Sequence, residues 1–190
     1  MINLSSMLIK LYTLIGDFRW ATTPPKTKAK QIREVLKLNL NPGDVLARKY
    51  DYFLDSYLLP GNPYTHSALY IGDNKIVESV AEGVVLTDII DFIVNTDAFI
   101  ILRPEYNHTQ NEYKATQFAL SQLGKEYDCL FSDKDKWYCH EIVARSLMEG
   151  GVHIQPIARK YGIWPLKFTK IIYMYEDFVQ HCATVYEFNE

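Results

Sequence analysis

The stretch Pro63-Tyr64-Thr65-His66-Ser67-Ala68-Leu69-Tyr70-Ile71-Gly72-Asp73-Asn74-Lys75-Ile76-Val77-Glu78-Ser79 reads as a β-hairpin. From Thr65 on, His66, Ala68 and Tyr70 share one face and Ser67, Leu69 and Ile71 the other, as the two-residue period of a strand requires. Gly72-Asp73-Asn74 supplies residues that tolerate positive φ, so Lys75 to Val80 is expected to return antiparallel, with Ile76, Glu78 and Val80 on one face. Pro60-Gly61-Asn62-Pro63 is a firm loop into the first strand and sets His66 at the mouth of the sheet. Glu78 reaches the ring of His66 only if the register across the turn puts the two on one side, and the sequence leaves that register open.

The complement of this hairpin lies far downstream at Trp137-Tyr138-Cys139-His140-Glu141. Cys139 is expected to open a helix running to Glu149, because Ile142, Val143, Ser146 and Leu147 recur at helical spacing and Gly150-Gly151 ends the run. A thiol at that place faces free backbone N–H groups and the positive end of the helix dipole. An ordinary thiol, of pKa about 8.5, is only slightly ionised near neutrality, whereas a helix N-terminus with an imidazolium lowers such values to roughly 3.5–7.5. Each residue also has an ordinary structural reading. Free Cys is among the most buried residue types, a lone strand His is more often a packed one, and Glu78 alone is a solvated strand residue. Taken together, the three supply a thiol nucleophile, a base and a group to orient the base, which is the constellation of a cysteine amidohydrolase or acyltransferase.

Working outward, Leu4, Leu8, Leu11 and Ile15 lie at helical spacing, and Pro24-Pro25 breaks the chain after them. A second helix is expected over Lys28 to Leu38, and Pro42-Gly43-Asp44 turns into a strand at Val45 to Arg48. Tyr50 to Leu59 is aromatic-rich and ambiguous. Beyond the hairpin, Val84 to Leu86 predicts a third short strand, Thr87 a cap for a helix from Asp88 to about Val94, and Phe99 to Arg103 a buried strand. Thr109 is expected to cap Gln110 to Leu123, with Tyr113, Phe118, Ala119 and Leu120 marking a packed helix that Gly124 stops. A loop with Pro156 and Pro165, a strand at Ile171 to Tyr175 and a tail complete the chain. The order predicts an α+β protein with a small antiparallel sheet or barrel packed on helices, divided as an N-terminal helical extension over 1–40 and one domain over 41–190.

The chain has 190 residues, 48% of them hydrophobic and 14% aromatic, which is material for one sizeable core. A net charge of -3 and a pI near 6.0 supply no overall basic surface, which argues against nucleic acid as a partner. The three cysteines, Cys129, Cys139 and Cys182, lack the spacing of a disulfide framework or zinc knuckle, and an odd count leaves at least one thiol free. A metal held by His66, Cys139 and His140 is disfavoured because no close ligand pair accompanies them, and no cofactor is called for. Residues 1–15 carry Lys10 inside the apolar run with no basic segment before it and no small-residue cleavage site, so a soluble protein is the default. The sequence leaves the compartment open with the cytoplasm favoured, since an odd cysteine count fits a reducing compartment and also a secreted enzyme that keeps a reactive thiol. The N-terminal stripe leaves contact with a membrane surface open.

Pro42-Gly43-Asp44, Tyr64 to Gly72 with Val77-Glu78-Ser79, Tyr127-Asp128 and Tyr138-Cys139-His140-Glu141 together resemble the permuted papain-like amidohydrolases of the YaeF/YiiX type, within the NlpC-like superfamily. The resemblance covers roughly Asn41 to Tyr175. It implies a circularly permuted papain-like fold in which the strand His precedes the Cys, with Cys139 as nucleophile, His66 as base and Glu78 as its orienter. It also implies a Cys-dependent amidase or peptidase working through an acyl-enzyme on a small-molecule, lipid or peptide amide. Tyr64, Tyr138 and His140 are expected to line the substrate site, His140 standing where the family pattern has a small residue. Related folds of the lecithin:retinol acyltransferase kind make a lipid acyltransferase or thiol phospholipase the alternative. A non-catalytic binding module that keeps the fold, with His140 closing the site, is the other.

Overall fold

The computed structural model describes residues 21, 23–51, 63–128, 131, 135–161 and 168–189. The predicted helix at the N-terminal stripe, Cys129 and most of the Tyr50 to Leu59 segment lie outside the described residues. In chain order the elements are α1 (Ala29–Val35), β1 (Val45–Lys49), β2 (His66–Gly72), β3 (Lys75–Val80), β4 (Gly83–Asp88), α2 (Ile89–Ile93) and β5 (Ala98–Pro104), then α3 (Thr109–Ser121), α4 (Cys139–Glu149), β6 (Ile157–Tyr161), β7 (Phe168–Ile172), α5 (Tyr175–Val179) and β8 (Cys182–Asn189). Six strands make one sheet in the order β4-β3-β2-β1-β5-β8, every neighbouring pair antiparallel, and β6 pairs with β7 apart from it. Helices and an antiparallel sheet are the α+β mixture that the element order predicts. No pairing among the described strands closes the sheet into a barrel.

The two-residue period of the strands makes two cores. Val45, Leu69, Val77 and Leu102 face α3 and α4, where they meet Ala119, Ile142, Val143 and Leu147. Leu46, Ala68, Tyr70, Ile76 and Ile101 face the other way, onto Val35 of α1 and Ile89, Phe92 and Ile93 of α2. The five-residue α2 is far too short to hold itself together in water, so burial of these three side chains, worth about 1.5–3 kcal/mol each, is what keeps it in place. Residues of the 1–40 stretch join this core too, since Ile32, Leu38 and Leu40 pack against it beside Val35.

The hairpin folds as read, with Asp73 (φ 51) and Asn74 (φ 57) taking the left-handed positions of its turn. Its register pairs Ala68 with Glu78, Leu69 with Val77 and Tyr70 with Ile76. Directly opposed residues share a face, so His66 and Glu78 emerge on the same side, diagonal neighbours across two strands.

Five expectations are corrected. The cap of α2 is Asp88, whose carboxylate accepts from Ile90 N at 2.9 Å, while Thr87 lies within β4, opposite Ile76 of β3. Helix α3 begins at Thr109 rather than after it, and Tyr113 is 66% exposed rather than packed. The strand expected over Ile171 to Tyr175 stops at Ile172, because Met174 N turns to Asp177 Oδ2 at 2.8 Å and starts α5. Finally, the supposed tail is β8, paired with β5 along its length from Ala98↔Asn189 to Pro104↔Cys182.

Gly83 opens β4 at φ 111, and a Cβ there would lie 2.4 Å from the backbone oxygen of Lys125, which already accepts from Val84 N. Neither a left-handed backbone nor a backbone clash is relieved by a rotamer change. Gly83→Ala is therefore expected to cost at least about 2 kcal/mol. In thermal unfolding that is a Tm lower by about 5 °C or more, and an unchanged Tm would contradict it.

Candidate active site

Cys139 is the first residue of α4, following the N-cap Tyr138, whose extended backbone (φ -99, ψ 165) lets the chain enter the helix. Two hydroxyls on the α4-facing side of the sheet hold that entry. Ser67 Oγ donates to Cys139 O at 3.4 Å and Ser79 Oγ to Trp137 O at 2.6 Å, both serines being wholly buried. These bonds fix the backbone at Trp137 and Cys139 to β3 and β2. The thiol is nearly buried at 7% exposure, and its sulfur lies 3.8 Å from Thr65 O at the start of β2. Tyr138 makes no side-chain cap bond, so it does not close off the amides of the first helical turn.

On the same end of the sheet, His66 Nε2 lies 2.7 Å from Glu78 Oε2. With Nε2 taken by the carboxylate, Nδ1 is the ring nitrogen left for the thiol. Burial pushes the imidazole toward its neutral form, but the Cys139 sulfur, by charge and by hydrogen bond, and then Glu78 outweigh it and raise the His66 pKa to about 9. Burial likewise opposes the charge on Glu78. The hydrogen bond and charge of His66, the charge of Arg48 and the Thr87 side chain reverse this and bring Glu78 to about 2. The site thus sets an imidazole of raised basicity against a buried carboxylate, with the Cys139 sulfur among its neighbours, an arrangement suited to activating a thiol and then delivering its proton.

The residues expected to line the substrate site sit deeper. Tyr64 is 3% exposed, donates from its hydroxyl to Glu187 Oε1 at 3.0 Å and packs its ring 5.0 Å from that of Tyr175. His140, 2% exposed, has Nδ1 2.8 Å from Ser67 Oγ and its ring beside Phe178. Tyr138 accepts from Tyr173 N at 2.6 Å and forms part of the wall of a 520 Å³ cavity along α4, with Trp137, Phe131, Glu141 and Arg145. In that wall burial lifts the Glu141 carboxyl to about 7, Arg145 pulling it back and Asp128 pushing it further up.

Sequence reading missed Arg48, whose guanidinium lies 3.7 Å from Glu78 Oε2, and the anchoring serines Ser67 and Ser79. The serines did carry a signal, since each directly follows a site residue on its strand and so points to the opposite, helix-covered face. Arg48 carried none beyond its place at the end of β1, opposite His66.

Searches against curated proteins and against solved structures find no match. The family model described as "Permuted papain-like amidase enzyme, YaeF/YiiX, C92 family" matches residues 39–159, a span that runs from the strand before the hairpin through the Cys139 helix. More than half of the chain lies within that match, and the protein belongs to the permuted papain-like amidases, a family of cysteine hydrolases.

Proposed function

We propose that Cys139, His66 and Glu78 form a catalytic triad that hydrolyses an amide bond through an acyl-enzyme. The observation that carries this reading is the His66–Glu78 contact of 2.7 Å, with the Cys139 sulfur near enough to help raise the pKa of the same ring. The Cys139 thiolate attacks the substrate carbonyl carbon, a C–S bond forms, and the carbonyl electrons move onto oxygen, where amide N–H groups at the start of α4 receive the charge. His66 then gives its proton to the leaving nitrogen as the C–N bond breaks, leaving a thioester on Cys139. Water attacks that thioester with His66 as base, the C–S bond breaks and the thiolate returns. Glu78 keeps the ring oriented and its charge compensated throughout. An acceptor other than water would divert the second half to acyl transfer.

The test is alkylation by iodoacetamide, followed residue by residue by mass spectrometry in the parent and in His66→Ala. Cys182 is an internal standard, since burial, with Glu105 and Asp44 nearby, pushes its thiol up to about 12. Near pH 7, Cys139 is expected to react at least about tenfold faster than Cys182, and His66→Ala to remove most of that advantage. Equal rates at the two cysteines would end the nucleophile reading and leave a binding module. For turnover, the proton that His66 delivers is bound below its pKa and lost above it. kcat/KM is therefore expected to fall as pH rises through about 9, and a profile flat to pH 10 would remove His66 as the acid.

A further inference from the structure

Arg48 lies outside the proposed triad, yet it packs directly beside two of its members. It is paired in register with His66 across β1 and β2, and its side chain is only 15% exposed. Nη1 donates to Phe92 O at 2.8 Å, the guanidinium carbon sits 4.3 Å from the centre of the Phe92 ring, and Nη2 is 3.7 Å from Glu78 Oε2. The ring of His66 lies 5.6 Å from that same Phe92 ring. Phe92, itself fully buried, thus fixes Arg48 and His66 relative to each other and to one carboxylate oxygen. Arg48 Nε is buried with no partner among the described residues, so hydrogen bonding alone does not account for the guanidinium's position.

We propose that Arg48 is a positioning residue of the site: stacked on Phe92 beside the carboxylate, it holds Glu78 anionic through both half-reactions and limits how firmly His66 keeps its proton. The inference rests on the triad reading above. The physical reason is that a carboxylate with one hydrogen-bonded imidazolium would lose its only cation each time that imidazolium gives up its proton. A second, permanent cation keeps the charge on Glu78 when His66 is neutral. The same positive charge repels the proton on His66, so release to the leaving group costs less. Among the described residues, the charged groups acting on His66 are Cys139 from α4, Glu78 from β3 and Arg48 from β1, and Phe92 of α2 adds none. Removing Arg48 therefore removes the one cation opposing the imidazolium.

The experiment is an NMR titration of the His66 ring Cε1–H in the full chain, assigned by comparison with His66→Ala, in the parent, Arg48→Gln and Arg48→Lys. Arg48→Gln is expected to raise the His66 midpoint by about one unit, and the basic limb of the pH–rate profile with it. Arg48→Lys keeps the charge and is expected to return the midpoint most of the way to that of the parent. A merely structural Arg48 would lower Tm without moving either midpoint. If Arg48→Gln does not fold, Arg48→Met makes the same comparison. An unmoved midpoint in a folded neutral variant, or the same midpoint in the Lys and neutral variants, overturns the proposal. Because the titration needs no turnover, a midpoint shift in a protein that hydrolyses nothing supports the role of Arg48 while the hydrolase reading alone fails.

Discussion

Cys139→Ala is expected to lower kcat/KM for an amide substrate by on the order of 10⁶-fold, the scale on which removing a nucleophile acts when the rest of its triad depends on it. The fold should barely notice. The sulfur's bond to the backbone is weak, 3.8 Å to Thr65 O, and alanine is the better helix former at the first position of α4. The backbone anchors at Cys139 O and Trp137 O do not involve the side chain and persist in the variant. Thermal unfolding is therefore expected within a few degrees of the parent. Trapping makes the measurement independent of the natural substrate: an activated ester should leave one acyl group on Cys139 of the parent, seen by intact mass, and none on the variant. Turnover within tenfold of the parent in Cys139→Ala would mean that the chemistry lies elsewhere.

Glu78→Gln is expected to cost about 10²–10⁴-fold in kcat/KM and a measurable part of the fold's stability. Glutamine keeps the volume, and its amide oxygen can still accept from His66 Nε2, so geometry changes little. What is lost is the charge. Arg48 then faces the imidazolium with no anion between them, and the basic limb of the pH–rate profile should move down from about 9. The stability effect has a definite pH window. The Glu78 pKa falls on folding from 4.5 to about 2, so its contribution is complete above about 4.5 and disappears as pH falls through about 2. That of His66 rises from 6.5 to about 9, so its contribution is complete below about 6.5 and disappears as pH rises through about 9. The Tm gap between parent and Glu78→Gln should thus be widest between about pH 4.5 and 6.5, where breaking a buried pair costs about 3–5 kcal/mol. A gap that keeps widening above pH 9 would contradict this assignment of charges.

The hairpin was legible in the sequence because its turn residues and its alternation agree, and the α4 helix because its caps and its apolar spacing agree. What sequence left open was a relation between strands. Whether His66 meets Glu78 depends on Ala68 opposing Glu78 rather than a neighbour, and pairing is decided by packing on both faces of the sheet at once. Arg48 was hidden for a similar reason, since its role depends on lying beside Phe92, 44 residues away in sequence. Strand β8 was misread as a tail although Ala183 to Phe188 holds Thr, Val, Tyr and Phe, residues that favour strands. Its burial pattern does not alternate cleanly, because a bulge between Ile101 and Leu102 of its partner shifts the register. The partner of the Tyr64 hydroxyl was equally hidden, since it is Glu187 of that same unread strand.

Each strand of the hairpin carries one member of the His66–Glu78 pair and, one residue later, a hydroxyl anchor: His66 then Ser67, Glu78 then Ser79. A slip of one residue in either strand would swing both members of its couple to the wrong side together. A slip that misplaces His66 or Glu78 therefore also unties the entry to α4 at Trp137 and Cys139, so loss of the site's geometry and loss of the helix anchor are expected to go together. The hairpin proofreads its own folding, and in a preparation of this protein the fraction of molecules that can be titrated at Cys139 should equal the fraction that is folded.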